Sequence, residues 1–217
     1  MSKVNFWVDG HERQGILAVP EIGKGPGVML LHAWWGLMDF FQSVCEQIAA
    51  QGYVCFAPDL HHGQVAATPE EAMHILETRD FPATQATAES ALSFLQTHPA
   101  VQGAKVAAVG FSMGASFALL LDSLSPDAFS KVVLFYGGSG ADLSQSKSRF
   151  QGHFGEADEW EPLEEVRKMN AANAEIYTYP GAAHWFCESD RPDYYDAQAA
   201  VLAWKRTFAF LSMPDTN

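Results

Sequence analysis

Cysteine is scarce in this 217-residue chain: Cys45, Cys55 and Cys187 are all it has, and no two stand in a Cys-x-x-Cys spacing. An odd, scattered set excludes a disulfide framework or a cysteine-held zinc as the organising feature, and three reduced, mostly buried thiols are expected. Positive charge is scarce as well: 13 Lys and Arg stand against 26 Asp and Glu, a net charge of −13. Nucleic acid and anionic membrane both need a basic face, so neither is expected as a partner. The same field disfavours a strongly anionic substrate unless a local basic pocket overrides it. Long hydrophobic runs are missing; stretches such as Ala115–Leu121 are too short to span a bilayer. Residues 1–10 carry no apolar signal-peptide core. Internal repeats and low-complexity tracts are absent. These absences leave one cytoplasmic domain over residues 1–217, a monomer or small homo-oligomer.

What is present is an alternation of short β-rich runs with segments of helical period, which indicates an α/β sheet. Strands are expected at Val4–Val8 and Gly15–Val19, joined by the turn pair Asp9-Gly10. Further strands are expected at Val28–Leu31, Val54–Ala57, Lys105–Val109, Lys131–Tyr136, Phe150–Phe154 and Glu175–Tyr179. Helices are expected at Phe40–Gln51, Pro69–Thr78, Ala83–Thr97, Met113–Leu124, Leu163–Ala172 and Tyr194–Leu211. That gives about six parallel strands after an antiparallel hairpin, with function in the loops at the strands' carboxyl ends.

Residues 110–114 read Gly-Phe-Ser-Met-Gly, directly after an apolar strand and directly before an apolar helix. Strand, Gly-x-Ser-x-Gly and helix together describe a nucleophile elbow, with Ser112 exposed on a strained turn. The helix start offers the Met113 N–H to an oxyanion. A serine hydroxyl needs a base. Among eight histidines, His184 follows a strand in the small-residue loop Pro180–Ala183 and precedes the last helix, the place of the base in the order Ser, acid, His. Asp158 follows the Phe150–Phe154 strand and is the expected acid; Asp142, after the preceding strand, is the alternative. The loop His32-Ala33-Trp34-Trp35-Gly36 is expected to give a second oxyanion donor, the Trp34 N–H, with His32 as a structural hydrogen-bonding residue. His61 and His62 are adjacent and have no carboxylate or cysteine at a ligand spacing, so they read as polar loop residues near a pocket rim and no metal is expected. Trp35, His62 and Trp185 are candidates for the substrate pocket.

Several ordered segments resemble the dienelactone hydrolase family: Leu31–Gly36, Pro58-Asp59-Leu60, Gly110–Gly114, Gly155–Asp158, Tyr179–Phe186 and Arg191–Ala197. The resemblance runs over most of the chain. It implies an α/β-hydrolase fold, a mostly parallel sheet flanked by helices on both faces, and a carboxylic-ester or lactone hydrolase that uses no metal or organic cofactor. The family's best-known members have a Cys nucleophile where this chain has Ser112, and a Glu tied to handling that thiol where it has Ala33. Losing both together is coherent for a serine enzyme. Those members also hold a substrate carboxylate with Arg after Pro-Asp-Leu; here His61-His62-Gly63-Gln64 follows, so dienelactone itself is not the expected substrate. Only about 13 residues separate the strand ending at Tyr136 from that at Phe150, too few for a cap domain, which predicts an open site for small or accessible esters. An acyl transferase on the same fold, a catalytically silent binding protein and a metal-dependent hydrolase using the His cluster are the alternatives.

Overall fold

The structure is a computed structural model, and it describes residues 1–169 and 171–215. The described residues fall into two compact units, Met1–Ala108 and Val109–Asn217.

The first unit begins with a hairpin, β1 (Ser2–Val8) and β2 (His11–Ala18). Asp9 and Gly10 both take positive φ, 47° and 81°, the backbone a two-residue hairpin turn requires. β3 (Gly25–Leu31) and β4 (Val54–Pro58) are short apolar runs whose residues are nearly all buried, as strands covered on both faces must be. Between them α1 (Asp39–Ala50) buries Phe41, Val44, Cys45 and Ile48, one face of a helix, and is followed by Gly52 at φ 94°. α2 (Pro69–Thr78) starts with Thr68 accepting from the Glu71 N–H, and α3 (Phe81–Thr97) with Asp80 accepting from the Ala83 N–H. β5 (Val101–Phe111) runs out of this unit, and its last three residues open the second. The strand order here is β1-β2-β4-β3-β5, antiparallel at β1–β2 and β2–β4 and parallel at β3–β4. The thiols of Cys45 and Cys55 are buried, free and 3.0 Å apart.

The second unit holds α4 (Met113–Leu124), β6 (Phe129–Phe135), β7 (Arg149–Gly155), α5 (Leu163–Lys168), β8 (Ala174–Tyr179) and α6 (Ala197–Leu211). β6, β7 and β8 are neighbours in that order and parallel. Several boundaries differ from the sequence expectation by a few residues, and three of them have a visible cause. β6 stops at Phe135 because Tyr136 turns to φ 37°, which no strand residue adopts. α6 begins at Ala197, since the Asp196 carboxylate caps the Gln198 and Ala199 N–H groups. α5 ends at Lys168 rather than continuing to Ala172; the Asn173 amide donates to the carbonyls of Leu143, Ser146 and Ser148, which draws that segment off the helix path. Residue 170, within the expected helix, lies outside the described residues. The β6–β7 connection is residues 136–148, with no cap among the described residues. No described helix is long and apolar enough to cross a membrane.

Candidate active site

Ser112 forms the turn between β5 and α4 at φ 50°, ψ −113°, a conformation that costs a non-glycine residue about 1–3 kcal/mol. The surroundings hold it there. Its N–H donates to the Phe135 carbonyl at 2.9 Å, and its own carbonyl accepts from Ala115 N at 2.9 Å. A Cβ at Gly110 would strike the backbone of Gly114 and Ala115, and one at Gly137 would strike the Ser112 carbonyl. The glycines are therefore the space into which the turn folds. Ser112 is the N-cap of α4, yet its hydroxyl makes no cap hydrogen bond. It lies 2.9 Å from His184 Nε2 instead.

His184 follows β8 and is 5% exposed. Its Nδ1 is 2.7 Å from Asp158 Oδ2. The other Asp158 oxygen accepts from the N–H groups of Trp160 and Glu161 at 2.8 and 3.1 Å. One carboxylate oxygen is thus fixed by backbone and the other faces the imidazole. This assigns the proton to Nδ1 and leaves Nε2 to accept from the serine. Asp142, the alternative acid, is exposed on the loop after β6 and accepts from Ser144 N; the Ser144 side chain, and after it this backbone N–H, hold its carboxyl below the usual carboxylate range.

Two loops carry Asp158 and His184, and they are knitted together. Glu156 N donates to Tyr179 O, Ala157 N to Ala182 O, and Ala182 N to Tyr179 O, at 2.9–3.2 Å. Gly155 lies so close to the Ala182 carbonyl that a Cβ there would collide with backbone. Gly155→Ala should therefore part the two loops. A loss of about 100-fold in kcat/KM is expected, since small displacements of catalytic groups cost that much. Ester hydrolysis within twofold of wild type would show that the close approach has no part in the geometry.

Behind His184 stand groups whose role the sequence did not disclose. The Tyr136 ring lies 5.2 Å from the imidazole, and its hydroxyl donates to Glu188 Oε1 at 3.0 Å. Glu188 is 1% exposed, and burial pushes its carboxyl up to about 8. Trp185, a candidate pocket residue, is buried with its ring edge-on to His184 at 4.6 Å.

The remaining candidates belong to the first unit. His32 Nδ1–H donates to Ala33 O at 2.7 Å, and its Nε2 accepts from Leu60 N at 3.0 Å. His61 Nε2–H donates to Trp34 O at 3.0 Å, and Ala66 N donates to Trp35 O at 2.9 Å. The loop bearing the Trp34 N–H is thus anchored through three successive carbonyls. Burial lowers both histidines to about 4, so at neutral pH each is uncharged and serves as a hydrogen-bonding restraint. Trp35 is buried, whereas His62 is exposed and bonded through Nε2 to Thr87. Among the described residues no three His, Cys, Asp or Glu side chains gather as a metal would require.

A mostly parallel α/β architecture with a strained serine between strand and helix defines the class of the α/β hydrolases. The model of the dienelactone hydrolase family matches residues 14–213, and the chain belongs to that family; it is a carboxylic-ester hydrolase. Among curated proteins it is 30% identical to protein usf of Aquifex pyrophilus, over 95% of this chain and 96% of that one. It is 25% identical to a carboxymethylenebutenolidase of Pseudomonas putida, over 94% and 92%. Among solved structures, a dienelactone hydrolase-like promiscuous phosphotriesterase from metagenomic libraries has the same fold, with a TM-score of 0.83 and 23% identity over 97% of this chain and 96% of that one.

Proposed function

We propose that this protein hydrolyses small-molecule carboxylic esters or lactones through an acyl-enzyme on Ser112, acting as one hydrolase domain over residues 1–217. The observation that carries this is the unbroken hydrogen-bonded series Ser112–His184–Asp158, with steps of 2.9 and 2.7 Å. His184 Nε2 takes the hydroxyl proton as Ser112 Oγ adds to the carbonyl carbon, and Asp158 stabilises the imidazolium. The developing oxyanion is met by the Met113 N–H at the start of α4. Collapse expels the alkoxide, which takes the proton from His184. Water then gives a proton to His184 and attacks the acyl-enzyme, and Ser112 is regenerated as the acid departs. The name of the Pseudomonas putida relative supports lactones as one substrate class. The 13-residue β6–β7 connection, too short for a cap, supports small or accessible esters.

A fluorophosphonate probe tests the nucleophile: a single adduct on Ser112, abolished by prior denaturation, is expected. Labelling at another serine would sink the proposal. The acid is tested by Asp158→Asn, which should lower kcat for p-nitrophenyl acetate by about 10⁴, because the amide favours the wrong imidazole tautomer. Asp142→Asn should stay within twofold. The reverse pattern would transfer the role to Asp142.

A further inference from the structure

The Leu60–Gln64 loop of the first unit borders a cavity of about 310 Å³, whose lining includes Arg13, His62, Gln64 and Arg79 together with the apolar Leu60 and Ile75. We propose that this cavity is a binding site for a small organic anion, a carboxylate or phosphate carried on a compact molecule.

The argument begins with charge. The chain has twice as many acidic as basic residues, so an arginine there meets an acid easily. Among the described residues Arg13 and Arg79 form no ion pair. Arg13 donates through Nη1 to the Glu12 carbonyl, and its buried Nε has no hydrogen-bond partner. A buried donor left unmade costs about 1–3 kcal/mol, more when charged, and such a group calls for an ion or water. Arg79 lies over the Phe81 ring, 5.4 Å from its centroid.

The acids nearby are already engaged. Asp59 accepts from the N–H groups of His61 and Gly63, at 3.0 and 2.6 Å. Asp80, on the cavity wall, accepts from Ala83 N at 3.1 Å as the cap of α3. His62 is fixed on the rim. Its backbone sits at φ 53°, and its Nε2–H donates to Thr87 Oγ1, which donates in turn to Ala83 O. Burial, and after it the charge of Arg13, disfavours a proton on that ring while Asp59 opposes them, so the positive charge here is that of the guanidinium groups and not of the imidazole. Two guanidinium groups and a side-chain amide make a fork suited to carboxylate or phosphate oxygens. Leu60 and Ile75 would cover a short apolar body.

Titration calorimetry with malonate, succinate and inorganic phosphate, at fixed ionic strength, tests the site. Saturable one-to-one binding is expected for wild type, with a dissociation constant on the order of 1 mM. Arg13→Gln and Arg79→Gln should each weaken it about tenfold or more, the worth of a hydrogen bond to a charged group. If Arg13→Gln does not fold, Arg79→Gln, at a surface helix end, carries the test. Tighter phosphate than dicarboxylate would identify a phosphorylated ligand; the opposite order would identify an organic acid. Ser112→Ala should bind as wild type does, so the result stands apart from the proposed catalysis. Absent saturation, affinity within twofold in Arg79→Gln, or loss of binding in Ser112→Ala would each overturn the proposal.

Discussion

Ser112→Ala should hydrolyse p-nitrophenyl acetate about 10⁴- to 10⁶-fold more slowly than wild type while remaining folded. The size follows from what one atom does. Oγ forms the bond to the acyl carbon, and without it His184 can only assist direct attack by water. The residual rate would come from the Met113 N–H and substrate binding, which survive the change. Stability should move little. Alanine meets the same strain as serine at φ 50°, and the hydroxyl lost makes no cap hydrogen bond. A melting temperature within about 3 °C of wild type is expected. Because residues acting as a unit are not additive, Ser112→Ala/His184→Ala should be no slower than the worse single variant. A folded Ser112→Ala protein within tenfold of wild type would remove the acyl-enzyme mechanism, and a double variant far slower than either single would mean that the two act independently.

How much of this was legible differs residue by residue, for physical reasons. Ser112 was readable because its setting is local: an apolar strand, two glycines and an apolar helix within some twenty residues. That Asp158 and His184 would lie on neighbouring loops was readable because each follows a strand, and parallel strands deliver their loops to one edge. Asp158 was the expected acid and Asp142 the alternative, both following strands; what the coordinates add is that the Asp158 carboxylate is hydrogen-bonded to the His184 imidazole and that Asp142 accepts from Ser144 N. Tyr136 read as the end of a strand, because nothing in its own side chain announces the left-handed backbone it takes. Arg13 and Arg79 were not legible as a pair. They are far apart in sequence, on a strand and at a helix end, and only the fold brings them to one cavity. The disfavouring of anionic ligands from a net charge of −13 holds for the whole surface and not for that recess.

Glu188 shows the same limit at its sharpest, because burial of a carboxyl leaves no mark on a sequence, and it leads to a large pH effect. Burial, reinforced by Asp190, raises its folded-state value to about 8 from an ordinary 4.5, while the Tyr136 hydroxyl and Arg191 pull the other way. Between those two values the unfolded chain has released a proton that the folded chain still holds. Stability contributed by this group is thus intact below about pH 4.5, falls as pH rises, and is fully lost above about pH 8. The loss at pH 9 is on the order of several kcal/mol. Glu188→Gln removes the ionisation and keeps an acceptor for the Tyr136 hydroxyl. At pH 5 the two proteins should melt within a few degrees of each other; by pH 9 the variant should melt roughly 10 °C higher. Since the Tyr136 ring packs on His184, the variant should also retain esterase activity at alkaline pH and temperatures where wild type has lost it. A difference in melting temperature that does not change between pH 5 and pH 9 would show that Glu188 is already ionised in the folded protein, its charge met by Arg191 and Tyr136, and the pair would then be an ordinary charged hydrogen bond behind the histidine.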